Sequence, residues 1–105
     1  MAAVYTLCIL HMRFEWDAAK ARQNLEAHGV AFEDAVLIFE GLTIEAADTR
    51  RSYDEDRFIV IGVAAGVELA VVYAAPEADL VRLISARRAT KRERKAYWES
   101  ISGKT

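Results

Sequence analysis

The sequence predicts an α+β fold, with two N-terminal helices and a C-terminal helix packed against one face of an antiparallel sheet of three to five strands. Two stretches with the helical spacing of apolar residues come first, and a run of apolar strands joined by short turns follows. Short turns between successive strands require antiparallel pairing. The last strand leads directly into a helix, whose start is marked by the capping-box pattern Thr90-Lys91-Arg92-Glu93. This order of elements predicts helices layered on a sheet.

Residues 13–40 are predicted to form one short strand and two helices. The strand, 13–16, alternates polar and apolar residues, and Asp17 after it is a good helix N-cap. The first helix therefore spans 18–28, and Gly29 provides its C-terminal stop. The second helix, 30–40, carries apolar residues at the spacing of a buried stripe, at Phe32, Ala35, Val36 and Phe39.

The second half of the chain is predicted to supply the main strands. A weak strand, 43–47, is followed by a charged loop, 48–56. Simple alternation along the last strand places Arg82 and Arg88 on one face of the sheet and Arg87 on the other. An arginine between apolar strand residues needs an anion or an open cleft, so Arg82 is either salt-bridged or part of a site. The three main strands and the final helix are predicted at 57–64, 67–74, 80–86 and 91–101.

Composition indicates one domain, 1–105, that works in the cytoplasm. The chain is 53% hydrophobic, which is enough for a core, and it contains no apolar run long enough to cross a membrane. The single cysteine, Cys8, excludes an internal disulfide and suits a reducing compartment. Residues 1–11 form either an extra edge strand or an extension ahead of a start at Met12.

Basic residues are concentrated toward the C-terminus of an acidic protein. The formal net charge is −2, yet residues 80–105 hold eight Lys or Arg and two Glu, whereas residues 1–79 hold six basic and fourteen acidic residues. Overall acidity argues against a protein that coats nucleic acid, and a localised basic end indicates a focused anion site. Guanidinium groups at the joint between strand and helix suit phosphate binding. The alternative is a solvated helix face.

The inventory of chemical groups favours metal-independent cleavage of RNA. Two histidines and one cysteine are scattered without ligand spacing, so no metal or other cofactor is expected. Gly62 and Gly66 lie in and beside strands, without the lysine of a phosphate-binding loop. The Arg, Lys, His, Glu and Tyr side chains supply what attack by the ribose 2′-OH needs, which is a base, cations for the phosphorane and an acid for the leaving oxygen.

A polar row on the first helix is a second candidate for a substrate contact. Lys20, Asn24 and His28 are four residues apart and share one side of the helix. The row is either a solvated outer face or one wall of a substrate groove. In the charged loop, Glu55 is a candidate carboxylate just ahead of the strand that begins with Arg57.

Several short motifs occur together in a specific combination. They are Met12-Arg13-Phe14-Glu15-Trp16-Asp17-Ala18-Ala19-Lys20, then Asn24, His28-Gly29-Val30 with Phe32, Glu33, Ala35 and Phe39, then Glu55, Arg57-Phe58 and Ile61-Gly62, and finally Arg82 to Ala89, Thr90, Glu93, Arg94 and Tyr97. In this combination the chain resembles the BrnT toxin family over roughly residues 12–98. Each motif alone would be a weak signal.

The resemblance implies a RelE-like fold and a ribonuclease toxin of a type II toxin–antitoxin module. It implies a partner like the BrnA antitoxin, which carries a ribbon-helix-helix DNA-binding domain. The toxin would then contact DNA only through the complex, which represses its own promoter. The positions that match the polar pattern of the family are Lys20, His28, Arg57, Arg82, Arg87, Arg88 and Tyr97.

The expected activity is endoribonuclease cleavage, with the following roles. Arg87 and Arg88 would neutralise the scissile phosphate, and Arg57 would be a second phosphate contact or transition-state cation. Proton transfer would come from one of three side chains, Lys20, His28 or Glu55. The RNA contacts would be Arg82, Lys91 and Arg92 along the RNA, and Tyr97, which either stacks on a base or packs in the core.

One departure from the family pattern keeps a second hypothesis open. Ala27 precedes His28 where the family commonly has a lysine, so one cation of the groove is absent. The alternative is a catalytically silent binding module that docks a BrnA-like antitoxin in an autoregulatory repressor complex. Direct DNA binding by the basic helix is a weaker option.

Overall fold

The part of the chain that the structure describes forms one mixed sheet of six strands with helices on both faces. The computed structural model describes residues 4–9, 12–48 and 56–103, and for residues 4–9 the backbone alone. In chain order the elements are β1 Val4–Ile9, β2 Met12–Asp17, α1 Ala18–His28, α2 Phe32–Ala35, a 3-10 segment Val36–Glu40, β3 Ile44–Ala47, β4 Arg57–Ala64, β5 Val67–Ala74, β6 Leu80–Arg88 and α3 Lys91–Ile101.

The strand order is β1-β2-β6-β5-β4-β3, and β2 runs parallel to β6 whereas the other neighbours are antiparallel. The α+β class is confirmed, but the sheet is mixed and has six strands where three to five antiparallel strands are predicted. The parallel pair arises because α1, α2 and three strands intervene, so β6 returns beside β2 in the same direction. Glu15 of β2 pairs with Arg82 of β6, 67 residues further on.

The N-terminal stretch contributes the outer strand of the sheet. Val4–Ile9 forms an antiparallel hairpin with β2, so of the two predicted alternatives this part is an edge strand. Residues 1–3, 10 and 11 lie outside the described residues. No helix among the described residues is long and apolar enough to span a membrane.

The ends of α1 follow from local chemistry. The carboxylate of Asp17 accepts the backbone N–H groups of Ala19 and Lys20 at 2.8 and 3.2 Å. At the other end Gly29 has φ 70°, a left-handed conformation that glycine adopts without strain, and its N–H donates to Leu25 at 2.8 Å. The predicted bounds of this helix are therefore confirmed.

The second predicted helix, 30–40, is shorter and divided. One turn of α-helix at Phe32–Ala35 continues as the 3-10 segment Val36–Glu40. The N-cap position is Ala31, which has no side-chain hydrogen bond to start a longer helix. The segment lies close against β4 at Gly62, where an added Cβ would be 2.8 Å from Cβ of Ile38.

Two apolar cores cover the two faces of the sheet. On β4, Val60 packs in the core that includes Phe32 and Ile38, whereas Ile61 packs with Tyr97. Because neighbouring residues of a strand point to opposite faces, α1 and α2 cover one face, the α1–α2 face, and α3 covers part of the other, the α3 face. The prediction that all helices share one face is wrong for α3.

A bulge in β6 changes the face on which its arginines lie. Leu83 pairs with Tyr73 and Ser85 with Val72, so Ile84 is an extra residue. Leu83 and Ala86 both pack in the core of the α1–α2 face. Residues after the bulge therefore follow a shifted alternation, with the result that Arg82 and Arg87 lie on the α3 face and Arg88 on the α1–α2 face. The predicted grouping of Arg82 with Arg88 is wrong because simple alternation ignores the bulge.

Candidate functional site

A row of charged residues crosses the α3 face of the sheet. Arg57 pairs with Ala74, Ala74 with Arg82, and Arg82 with Glu15, on four neighbouring strands. Arg57 and Arg82 are thus two strand spacings apart, about 10 Å between Cα atoms. Ala74 between them is small and fully buried, so no bulky side chain separates the two arginines on this face of the sheet.

The first position of the row lies beside the sheet edge. The backbone N–H of Asp48, which follows β3, donates to the carbonyl of Arg57 at 2.8 Å. Asp48 is buried, with 6% of its surface exposed. A buried acidic residue is therefore bonded through its backbone to the half-buried Arg57.

Arg82 forms a salt bridge to the neighbouring strand. Its Nε donates to Oε1 of Glu15 at 2.8 Å, and 45% of the Arg82 side chain stays exposed. The predicted alternative of a salt bridge is therefore present in the structure. An exposed pair of this kind orients the guanidinium but stabilises the fold by no more than about 1 kcal/mol.

Arg87 is held by the helix that follows it. Its two terminal nitrogens donate to the two carboxylate oxygens of Glu93 at 2.7 and 3.0 Å. Glu93 also accepts the N–H of Thr90 at 2.8 Å, and the hydroxyl of Thr90 accepts the N–H of Glu93, so the predicted capping box is confirmed. The hydrogen bonds from Arg87, assisted by those from Thr90, lower the pKa of Glu93 to about 2.

A second group of predicted residues lies along the seam between α1 and β6. Lys20 and His28 line a shallow groove of about 290 Å³ together with Asn24, Ala27 and Ile84. Lys20 and His28 are exposed beside this shallow groove, whereas Asn24 between them is buried, so the three side chains do not form one exposed row.

Arg88 lines a neighbouring groove on the same face of the sheet. This groove, of about 270 Å³, is also lined by Gly29, Val30 and Asp34. Since Gly29 directly follows His28, the Arg88 groove adjoins the end of α1 that carries the imidazole. Lys20, His28 and Arg88 therefore lie on the α1–α2 side of the molecule.

The structure consequently divides the predicted catalytic residues between two faces. The α3 face carries Arg57 and Arg87, together with the predicted RNA contact Arg82. The seam carries Lys20, His28 and Arg88. Glu55 lies outside the described residues.

The remaining predicted RNA contacts belong to α3. Lys91 and Arg92 are exposed in its first turn. Tyr97 has 4% of its surface exposed, donates its hydroxyl to the carbonyl of Leu42 at 2.9 Å and contacts the ring of Trp98 edge-on. Of the two alternatives for Tyr97, the structure has the packed one, in which the ring does not face solvent.

The burial of α1 differs from its apolar pattern. The apolar Leu25 is 51% exposed, whereas the polar Asn24 is 6% exposed. The helical spacing predicts Asn24 as part of a polar row and not as a buried group. The available signal is that Asn24 lies three residues after Ala21, within the arc that faces the sheet.

Among the described residues no group of three or more His, Cys, Asp or Glu side chains is arranged to hold a metal ion. The cationic groups of the site are guanidinium groups supplied by strands β4 and β6.

The fold and the arginine row define a small α+β protein that presents two strand arginines on one sheet face. Residues 16–93 match the model of the family described as "Ribonuclease toxin, BrnT, of type II toxin-antitoxin system", and the chain belongs to this family. RNA is accordingly the class of substrate, and an antitoxin is the class of partner.

A solved structure confirms the architecture. The crystal structure of the Brucella abortus ribonuclease toxin BrnT is similar to this chain with a TM-score of 0.54 and 24% sequence identity. The match covers 72% of this chain and 94% of that chain, which establishes the shared fold. No curated protein matches the chain.

Proposed function

We propose that the chain is a metal-independent endoribonuclease whose site is the α3 face, with Arg57 and Arg82 as phosphate ligands. The observation that carries the proposal is the row in which these two arginines flank the buried Ala74. Two guanidinium groups about 10 Å apart at Cα can converge on one phosphate or bind two successive ones. Arginine suits this task because its planar fork matches phosphate oxygens.

The reaction we propose needs no group beyond the chain and the RNA. The ribose 2′-oxygen attacks the adjacent phosphorus and loses its proton to a base. The bond to the 5′-oxygen breaks, and an acid protonates that oxygen. The products are a 2′,3′-cyclic phosphate and a 5′-hydroxyl. The arginines stabilise the additional negative charge of the phosphorane, which is where a preorganised cation has its largest effect.

Each cation of the α3 face has a distinct environment that supports a distinct role. Arg82 is oriented by Glu15 and still 45% exposed, so its guanidinium can exchange a carboxylate for a phosphate. Arg87 is bound at two points by the ionised carboxylate of Glu93, so its guanidinium is fixed in place and its charge is largely balanced within the pair. Glu55, two residues before Arg57 in the sequence, is one of the three candidates for proton transfer, with Lys20 and His28. Lys91 and Arg92 extend the cationic surface along α3.

A second candidate site is the seam between α1 and β6. Lys20 and His28 line one groove there, and Arg88 lines the next. This side of the molecule therefore carries both an imidazole and a guanidinium. Ala27 lines the same groove, and a family-typical lysine at this position would add a cation there.

The module we propose is completed by a BrnA-like antitoxin with a ribbon-helix-helix domain, and DNA would be contacted through that complex. RNA cleavage by the free toxin would stop translation and growth in the cytoplasm. The competing proposal is a catalytically silent chain that acts through antitoxin binding alone, and Ala27 supports it because one cation of the groove is missing.

Cleavage of bulk RNA by purified, antitoxin-free protein in excess EDTA tests these proposals. The Arg57→Ala/Arg82→Ala double variant is expected to lose about 100-fold or more in rate, from the size of such electrostatic contributions. Arg22→Ala is the control, because this exposed arginine lies on α1, which covers the opposite face of the sheet.

The outcomes separate the two faces and the two functions. Cleavage that persists in the arginine double variant but is lost in Lys20→Ala/His28→Ala would move the site to the seam. Cleavage that requires added metal would overturn the metal-independent mechanism. Folded wild-type protein that neither cleaves RNA nor arrests growth would establish the silent module.

A further inference from the structure

The backbone of β6 after Arg82 has no strand partner on the β2 side, and the side chain of Asn24 supplies hydrogen bonds there. Strand β2 pairs with β6 over Arg13–Glu15 and Leu80–Arg82, and the chain then leaves the sheet as α1. At Ala86, Oδ1 of Asn24 accepts the backbone N–H at 3.0 Å and Nδ2 of Asn24 donates to the backbone carbonyl at 2.8 Å. One amide side chain thus reproduces the two hydrogen bonds that a neighbouring strand would provide.

The same amide ties a third element to this point. Nδ2 of Asn24 also donates to the carbonyl of Val30 at 2.9 Å, in the link between α1 and α2. Both donor hydrogens and the acceptor oxygen of the amide are therefore used, within a side chain that is 6% exposed. Aspartate would lack the donor, and glutamine would be one methylene longer.

The two hydrogen bonds between Asn24 and Ala86, called here the Asn24 clamp, lie directly before the two arginines that end β6. Ala86 comes two residues after the bulged Ile84 and directly before Arg87 and Arg88. The bulge shifts the alternation of side chains, and a fixed Ala86 keeps that shift in the residues that follow. Arg87 then meets Glu93 on the α3 face, and Arg88 lines the groove beside Gly29 on the opposite face.

We propose that Asn24 is a positioning residue for Arg87 and Arg88, because its two hydrogen bonds to Ala86 hold the edge of β6 that β2 leaves unpaired, directly before these arginines. The inference rests on the proposed RNA binding and adds to it a residue that does not itself contact RNA. Asn24 acts through the backbone of β6, at a distance from the phosphate ligands Arg57 and Arg82.

Binding of a single-stranded RNA oligonucleotide with 2′-O-methyl groups tests this role without cleavage, because the attacking hydroxyl is blocked. The affinity is measured from low to moderate salt for wild type, Asn24→Ala and Val36→Ala. Val36 is fully buried on the same face but lies on the 3-10 segment, so its truncation is a control for lost stability.

Asn24→Ala is expected to lower the slope of log affinity against log salt by about 0.7 for each phosphate of the single strand that the variant no longer neutralises. A smaller folded fraction reduces the amount of protein that binds but leaves that slope unchanged, as expected for Val36→Ala. An Asn24→Ala protein with the wild-type slope and affinity would overturn the positioning role.

If the wild type binds no RNA, the proposed function is wrong. Amide hydrogen exchange then still tests whether Asn24 holds the end of β6. The backbone amides of Arg87 and Arg88 are expected to exchange at least ten-fold faster in Asn24→Ala than in Val36→Ala under matched stability. Equal protection of these two amides in both variants would show that Asn24 does not hold the end of β6.

Discussion

The guanidinium of Arg87 contacts both carboxylate oxygens of Glu93, at 2.7 and 3.0 Å, across the joint between β6 and α3. The same carboxylate closes the capping box with Thr90. Glu93 therefore links the last strand to the first turn of α3, through an ion pair with Arg87 and a capping box with Thr90.

Glu93→Gln is expected to flatten the acid side of the stability profile. The hydrogen bonds from Arg87 lower the folded-state pKa of Glu93 to about 2, below the unfolded value of about 4.3. The unfolded chain therefore takes up the proton first, and the stabilisation is complete above the unfolded pKa and is lost as pH falls toward 2.

Urea unfolding between pH 2.5 and 7 measures this effect. At pH 7 the variant should be about 1–2 kcal/mol less stable than wild type, and the difference should shrink below pH 4. Glu99→Gln is the control, because its ion pair with Lys95 is long, at 4.0 Å, and exposed. A difference that stays constant with pH would show that the Arg87 pair does not depend on the charge of Glu93.

Glu15→Gln is expected to raise RNA affinity. The carboxylate of Glu15 lies 2.8 Å from Nε of Arg82 and competes with a phosphate for it. Removal of one negative charge from the site should strengthen binding about three-fold to ten-fold at low salt, an increment comparable with the roughly 1 kcal/mol of an exposed pair. Titration of the methylated RNA measures the change, and Glu26→Gln on the exposed side of α1 is the control. Weaker binding by Glu15→Gln would show that Glu15 helps binding by orienting Arg82 more than it hinders binding by competing with the phosphate.

Tyr97→Phe is expected to affect stability but not RNA binding. The variant loses the hydrogen bond from the phenol to the carbonyl of Leu42, worth about 1 kcal/mol. Since the ring is 4% exposed, RNA affinity should equal that of wild type within error. A clear loss of affinity at full folding would indicate that Tyr97 leaves its packed position when RNA binds.

Gly62→Ala is expected to destabilise the protein by about 1–3 kcal/mol. The new Cβ would lie 2.8 Å from Cβ of Ile38 and 3.1 Å from Cγ2 of Thr43, so the 3-10 segment must move away from β4. Gly41→Ala is the matched control, because an added Cβ there meets nothing within 4 Å and φ is −115°. Thermal unfolding of both variants checks the contrast, and equal melting temperatures would contradict the close packing at Gly62.

The elements that local chemistry controls were predictable from the sequence. Asp17 and Gly29 bound α1, and Thr90 with Glu93 starts α3, because each cap is a bond between residues close in the chain. The hairpin strands β4 and β5 follow equally from apolar runs and a turn at Gly66.

The predictions from sequence were wrong where the structure depends on contacts between residues far apart in the chain. The pairing of β2 with β6 brings Glu15 to Arg82, 67 residues later in the chain. No local sequence pattern predicts a contact between residues so far apart. The bulge at Ile84 changes the expected faces of Arg87 and Arg88 relative to Arg82, since a bulge depends on how β5 pairs with β6. Asn24 was visible as a polar residue, but its role requires Ala86 as a neighbour.

The central position of β6 has a consequence for synthesis of the toxin. Strand β2 has its central partner 67 residues later, so the sheet cannot close while the ribosome is still translating the segment between them. Contacts of such long range make folding slow relative to a helical bundle of equal size. The arginine row is completed only when Arg82 reaches the sheet, so a nascent chain in which β6 has not yet paired lacks this arrangement of Arg57 and Arg82.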